Sequence, residues 1–442
     1  MGDLNCRAAR TAGPTVSQAF PEDVETSLLG RTLGQTFLSL RNRNFKLFFI
    51  GQTISNTGNW LTNVAQVLLV MHLTNNSGVA VGLLAACQFG PMLFLSAWAG
   101  AIADRSDKRH MLMWTQSLEM AESVCLAILA FMPHPPLIGL YVLGFFGGVL
   151  LAFDNPLRRS FVSEMVPPED IPNAVVLYSL IVNVSRIFGP ALAGLLVVTL
   201  GFGWCFTIDA ATYLAVLLCI FLMRPAELYR TAPKPRVNGE IRDGLRYVLD
   251  MPVLWVSFTM LAVIGLLGYN FNVTLPLYVT LGLHSQPTFY SFLYAVFSLG
   301  AVISALVIAN KALVEMRHII LGAASLGLAT LLLGFAPNAV FAVPAVFLVG
   351  VTSILYMTST TAIIQVEGKP EMHGRVIALQ TMVVGGGLFV GGPIAGWFAD
   401  MLGGRAPIIL GGVACLLAAT WGYFASRRYA HLTSAQVAPA DN

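Results

Sequence analysis

Twelve runs of roughly 20 apolar residues, separated by short polar segments, leave this chain few ways to fold. A helix needs about 20 such residues to cross a bilayer, and within lipid a spanning segment must satisfy its own backbone hydrogen bonds. The runs fall at 45–73, 78–103, 110–132, 137–155, 174–200, 205–223, 253–280, 287–309, 317–336, 339–363, 374–402 and 406–426. Composition agrees: 56% of the 442 residues are hydrophobic and 11% are charged, against about a quarter charged in soluble globular proteins. The expectation is an all-α integral membrane protein of twelve transmembrane helices.

The basic residues set the expected topology. With the N-terminus inside, all 25 Lys and Arg except Arg186 and Arg405 fall in cytoplasmic segments. Both termini are then cytoplasmic, and the protein is a multi-pass component of the cell's cytoplasmic membrane. Residues 1–44 read as a disordered tail, rich in Ser, Thr, Gly, Arg and acids. No short apolar core with a cleavage site stands near the N-terminus, so no signal peptide is expected. The six cysteines show no metal spacing, and five lie inside apolar runs.

The two halves repeat. Pro168-Glu169 precedes a span with Gly189-Pro190 and Gly194, and Pro370-Glu371 precedes one with Gly392-Pro393 and Gly396. This predicts two six-helix, pseudo-symmetric bundles, 45–223 and 253–426, with a substrate site between them. The segment 224–252 links them, and 427–442 is a C-terminal tail. Glu240–Leu249 interleaves charges with Ile241, Leu245 and Val248, which suits an amphipathic helix at the inner surface or a plain solvated linker.

Gln52, Asn56, Asn59, Asn63 and Gln66 step by 4, 3, 4 and 3 along span 1 and share one helical face. Lipid cannot satisfy amides, so this face meets water or protein. One reading is a wall of a central aqueous cavity; the other is interhelical hydrogen bonding alone. The second half offers Asn270, Asn272, Tyr290, Tyr294, Thr352 and Tyr356 toward the same cavity, or toward packing.

Charges inside the spans are few: Glu119 and Glu122 in span 3, Arg186 near the middle of span 5, Asp209 in span 6, with Asp154 closing span 4. A charge at the bilayer centre costs at least ~2.5 kcal/mol, so it is paired or used. Glu119 or Glu122 is the expected partner of Arg186. A carboxylate alternating between an arginine and a proton is a coupling device; the alternative is a fixed ion pair. No phosphate-binding loop, metal cluster or acid–base constellation points to ATP hydrolysis or to an enzyme. No metal, cofactor or nucleic acid is expected.

Between spans 2 and 3 lies Gly100-x-x-x-Asp104-Arg105-x-x-Lys108-Arg109. This resembles the signature hairpin of the major facilitator superfamily, with Asp107 where that signature usually has Gly. Gly189-Pro190-x-x-x-Gly194 resembles the antiporter motif of that superfamily, with Ala193 in place of a usual glycine. With Asp154-Asn155-Pro156 and Ile208-Asp209-Ala210, the chain resembles the branch of enterobactin exporters, macrolide efflux proteins and mycobacterial multidrug pumps. The resemblance implies that Asp104 meets the start of span 11 near Gly374. It also implies that Arg105 and Arg109 pair with Asp154, and that these contacts close an inner gate. The alternative is that the basic residues serve only as anchors to anionic headgroups. The expected function is proton-coupled efflux of hydrophobic or amphipathic small molecules by alternating access, as in multidrug resistance, powered by the proton motive force. The alternatives are a dedicated carrier, such as a siderophore exporter or lysophospholipid transporter, and a transporter-like receptor or scaffold.

Overall fold

The computed structural model describes residues 37–103, 105–229, 240–308, 315–369 and 372–437. Among these, twelve helical spans follow one another: α1 (Arg43–Leu73), α2 (Gly78–Ala103), α3 (Lys108–Ala130), α4 (Leu137–Val162), α5 (Ile171–Thr199) and α6 (Phe202–Phe221) form the first set. The second set opens with α7, made of Pro252–Leu267, a break, Phe271–Leu277 and a π-turn at Tyr278–Gly282. It continues with α8 (Phe289–Ile308), α9 (Met316–Gly334), α10 (Ala339–Glu367), α11 (His373–Leu402) and α12 (Ala406–Val437). Ten of these spans are apolar enough to cross a membrane by composition alone. The other two are α1, which carries the amide stripe, and α3, which carries Glu119 and Glu122.

Packing follows the repeat. Within the first six, α1 lies against α5 and α6, α2 against α4, and α3 against α4 and α6. Adding six to each number gives the second bundle: α7 against α11 and α12, α8 against α10, and α9 against α10 and α12. The bundles meet along two seams with the same relation, α2 with α11 and α5 with α8. The turns into α6 and α12 match as well. Gly201 and Gly403 both take left-handed backbone, φ 90° and 89°, a conformation that a Cβ disfavours.

The α2–α11 seam is close because both faces are glycine. A Cβ on Gly82 would stand 2.5 Å from the carbonyl oxygen of Gly392 and 2.7 Å from the Cα of Pro393. At the end away from the 104–109 hairpin, here called the far side, Asp400 of α11 caps the start of α2. Its carboxylate accepts from the backbone N–H of Gly78 (2.6 Å) and Val79 (2.9 Å) and from the Ser77 hydroxyl (3.2 Å).

Several boundaries differ from the expected ones. The helix of α4 runs through Pro156 to Val162, so Asp154 is interior rather than terminal. Residues 38–41, assigned to the tail, form a 3-10 turn. Ser39 there is fully buried, bonded to Asn173 and to the Asp170 carbonyl at the start of α5. At the other end α12 continues past 426 to Val437. The linker helix forms at Glu240–Asp250 but docks on protein. Val248 is buried among Leu254, Phe258, Ile364, Val376 and Leu379, and Asp243 pairs with Arg375 at 3.5 Å, whereas Leu245 and Leu249 stay exposed.

Candidate functional site: a buried charge network in the first half

Three helices of the first bundle, α3, α4 and α6, bring ionisable groups to one place, and α1 adds amides. Arg158 of α4 contacts the carboxylate of Asp154 one turn earlier on its own helix. Its guanidinium also reaches Glu119 of α3 at 3.3 Å and the side-chain oxygen of Asn56 on α1 at 3.2 Å. Gln116 ties the two acids together, donating to Asp154 at 2.9 Å and to Glu119 at 2.8 Å, and Thr115 adds a bond to Asp154 at 3.1 Å. Asp154, Glu119 and Arg158 are 1%, 3% and 3% exposed. Groups so dry are stable only as a set, because removing one member strands the others' charge.

The network borders a cavity of about 70 Å³. Asn59, Asn63, Gln66, Gln88, Glu122 and Asp209 are among the polar groups on its wall, which also includes Glu119 and Tyr213. The volume has room for a few waters. Asp209 accepts from Ser123 at 2.7 Å and from Thr212 at 3.3 Å. Glu122 lies against Gly147, where a Cβ would meet its carboxyl carbon at 2.8 Å. The cavity lies inside the first bundle, with Asn59, Asn63 and Gln66 of the amide stripe on its wall. Four of the five amides bond within that bundle, and Asn63 lines the cavity. Gln52 and Asn56 bond each other beside Arg158, Asn59 donates to Tyr213, and Gln66 links Gln88 to the Leu140 carbonyl.

The expected pair of Arg186 with Glu119 or Glu122 is not formed. Arg158 takes Glu119, and Arg186 has its guanidinium 5.2 Å from the Trp60 ring centroid. The reason is α4's length. With the helix continued through Pro156, a cation enters the bundle one turn below Asp154 and claims both acids.

With this geometry in place, comparison with known proteins is informative. The sequence profile of the transmembrane secretion effector family matches residues 34–440. The chain belongs to that family, within the major facilitator superfamily. It is similar to the staphyloferrin A transporter of Staphylococcus aureus (strain NCTC 8325 / PS 47), 24% identical over 391 residues, 87% of this chain and 96% of the relative. It is also similar to the enterobactin exporter EntS of Shigella flexneri, 25% identical over 81% of this chain and 85% of the relative. Among solved structures, the POT family transporter PepTSo superposes with TM-score 0.73 at 13% identity, over 88% of this chain and 99% of that one. An inward-facing, unoccupied bacterial homolog of the human lysosomal transporter Spinster gives 0.68 at 15%, over 87% and 97%. These likenesses establish the major facilitator fold.

The hairpin signature is described in part. Asp104 lies outside the described residues. Arg105 is exposed, and Arg109 donates to the Ile220 and Phe221 carbonyls at the end of α6, both at 3.2 Å. Neither reaches Asp154, which Arg158 holds deeper in the bundle. Lys108 pairs instead with Glu164 at 2.5 Å. Asp107, where the signature has Gly, takes ordinary extended backbone and caps α3 by accepting from the His110 N–H at 3.1 Å. Among the described residues, a Cβ on Gly100 or on Gly374 at the start of α11 would meet nothing. In the antiporter motif, Gly189 lets α5 approach α1, where a Cβ would meet the Thr57 carbonyl at 2.8 Å. Gly194 does the same across the second seam, 2.7 Å from the Cβ of Ser291, and Pro190 is buried between them.

In the second half the expected residues do not converge on one cavity. Tyr356 is fully buried, the Thr352 hydroxyl bonds the Leu348 carbonyl of its own helix, and Asn272 is half-buried. Asn270 sits at the break in α7 and donates to Leu266 at 2.7 Å. Tyr294 does reach the first half, its ring 5.8 Å from Trp60 and 5.7 Å from Tyr290. Arg158, Gln116, Gln88 and Trp60 were not singled out from sequence. Only Arg158 left a usable signal, its i,i+4 spacing from Asp154.

Proposed function

We propose that this protein is a proton-coupled exporter of a siderophore-class small molecule. The observation that carries the substrate class is similarity over nearly the full length of the staphyloferrin A transporter, with EntS as a second siderophore-handling relative. These relatives favour the dedicated carrier over the multidrug pump. The network of Asp154, Arg158 and Glu119 supports proton coupling. A carboxylate that shares one arginine with another acid has a ready alternative, which is to release the arginine and hold a proton. The adjoining cavity gives that proton a polar path past Glu122 and Asp209. The two glycine-lined seams give the bundles surfaces on which to rock, as alternating access requires. In the cell the protein would lie in the cytoplasmic membrane with both termini inside, in keeping with the placement of its basic residues.

The test is transport in proteoliposomes under an imposed pH gradient, with staphyloferrin A, enterobactin and the lipophilic cation ethidium as probes. Gradient-driven movement of a siderophore and not of ethidium is expected. Movement of ethidium alone would return the reading to multidrug efflux. Siderophore movement indifferent to the gradient would remove proton coupling.

A further inference from the structure

The first bundle's buried charges have polar or charged partners, and Arg186 is half-buried. Asp154 and Glu119 share Arg158, Asp209 has two hydroxyls, and Lys108 has Glu164. Arg186 is different. Among the described residues no carboxylate lies within ion-pair distance of it, and its Nε is buried with no hydrogen-bond partner. Its neighbours are neutral, the face of Trp60 and the phenol of Tyr294. A guanidinium has five N–H donors, and one phenol and one ring face leave most of them unmet. The position adds to this. Arg186 is on α5 and Trp60 on α1, both in the first half, whereas Tyr294 is on α8 in the second. The Trp60 and Tyr294 rings are 5.8 Å apart and tilted by 38°, and the Tyr290 hydroxyl beside them is buried without a partner. Along the same two helices, about one to two turns toward the far side, a crevice of about 360 Å³ opens between Ala191, Gly194, Thr288 and Ser291.

From this we infer that Arg186, with Trp60 and Tyr294, forms the substrate-recognition site, and that the ligand is an oxygen anion, a carboxylate or catecholate, attached to a flat unsaturated or aromatic body. The fork of the guanidinium takes the two oxygens, and the rings take the flat part. Trp60 and Tyr294 belong to different halves, so a ligand touching both is read by both bundles. The inference rests on the transport reading above but concerns a different set of residues from the coupling network.

The experiment is calorimetric binding to the purified protein with four probes: citrate, 2,3-dihydroxybenzoate, its uncharged ethyl ester with the catechol methylated, and tetraphenylphosphonium. Binding of the dihydroxybenzoate is expected, and citrate, which has carboxylates but no flat body, should bind more weakly; binding of citrate alone would overturn the assignment. Arg186→Gln should weaken that anion by about tenfold or more and leave thermal unfolding near that of the parent. Arg186→Lys, which keeps the charge and loses the fork, should fall between. Trp60→Ala tests the same site with Arg186 intact, and should weaken the dihydroxybenzoate more than citrate. The assignment is overturned if the wild-type protein binds neither anion, if it binds the ester or the cation as well as the anions, or if Arg186→Gln binds unchanged. Siderophore transport at the wild-type rate by Arg186→Gln would leave the transport reading standing and remove Arg186 from it. Absence of siderophore transport in the wild type would instead undo the transport reading.

Discussion

Arg158 stabilises two buried acids at once, and its removal should show this directly. Arg158→Ala strands Asp154 and Glu119 in a dry bundle and should cost about 3–5 kcal/mol, read as a lower unfolding temperature in detergent. Adding Asp154→Asn and Glu119→Gln to that variant should recover part of the loss; no recovery would mean that Arg158 acts through packing alone. Glu119→Gln keeps the shape and the bond to Gln116 while removing the titratable group. It should abolish gradient-driven transport and spare counterflow exchange, which needs binding but no net proton movement. Unimpaired gradient-driven transport in this variant would take Glu119 out of the coupling. Sequence showed the acids but not their partner. Pro156 reads as a helix terminus because it cannot donate a backbone hydrogen bond, yet α4 continues through it and carries Arg158 inside. Arg186 was visible as an embedded charge. Its surroundings were not, since the helical face that meets Trp60 depends on how α5 crosses α1.

At the scale of elements, the seams set what the helices tolerate. Gly82→Val would drive a side chain into the backbone of Gly392 and Pro393, which cannot move aside as a flexible side chain can. The expected cost is about 1–3 kcal/mol with loss of transport. Gly100→Ala, at the signature's own glycine, meets nothing among the described residues and should leave unfolding unchanged, so the pair separates seam packing from motif membership. Equal effects of the two substitutions would refute the seam argument. The spans themselves were legible because hydropathy reports on lipid contact, and ten of the twelve are strongly apolar. The ends were less legible. Helices extend beyond their apolar portion wherever protein replaces lipid, as at Arg158 and at the tail residue Ser39, and hydropathy is blind to that exchange. The linker helix shows the same limit. Its pattern gave the helix correctly, but Val248 is buried on α10 and α11 and not at the membrane surface.

For the whole molecule, the far side is fastened by one carboxylate crossing from one half to the other. Asp400 accepts three bonds from the start of α2, two of them from backbone N–H groups at a helix N-terminus, where negative charge is favoured. Asp400→Ala should loosen this end. Spin labels at the exposed positions Asn75 in the first half and Val340 in the second are expected to report longer or broader distances than in the parent. An unchanged distribution would mean that the glycine seam alone holds the far side.

The charge network also has an electrical meaning. Taken together, Asp154, Glu119 and Arg158 carry a net charge of −1 when both acids are ionised, and none once a single proton is added. A membrane potential does work only on net charge that moves along the field, about 2.3 kcal/mol per elementary charge for each 100 mV crossed. Within this network, then, the unprotonated form responds to the membrane potential and the singly protonated form does not.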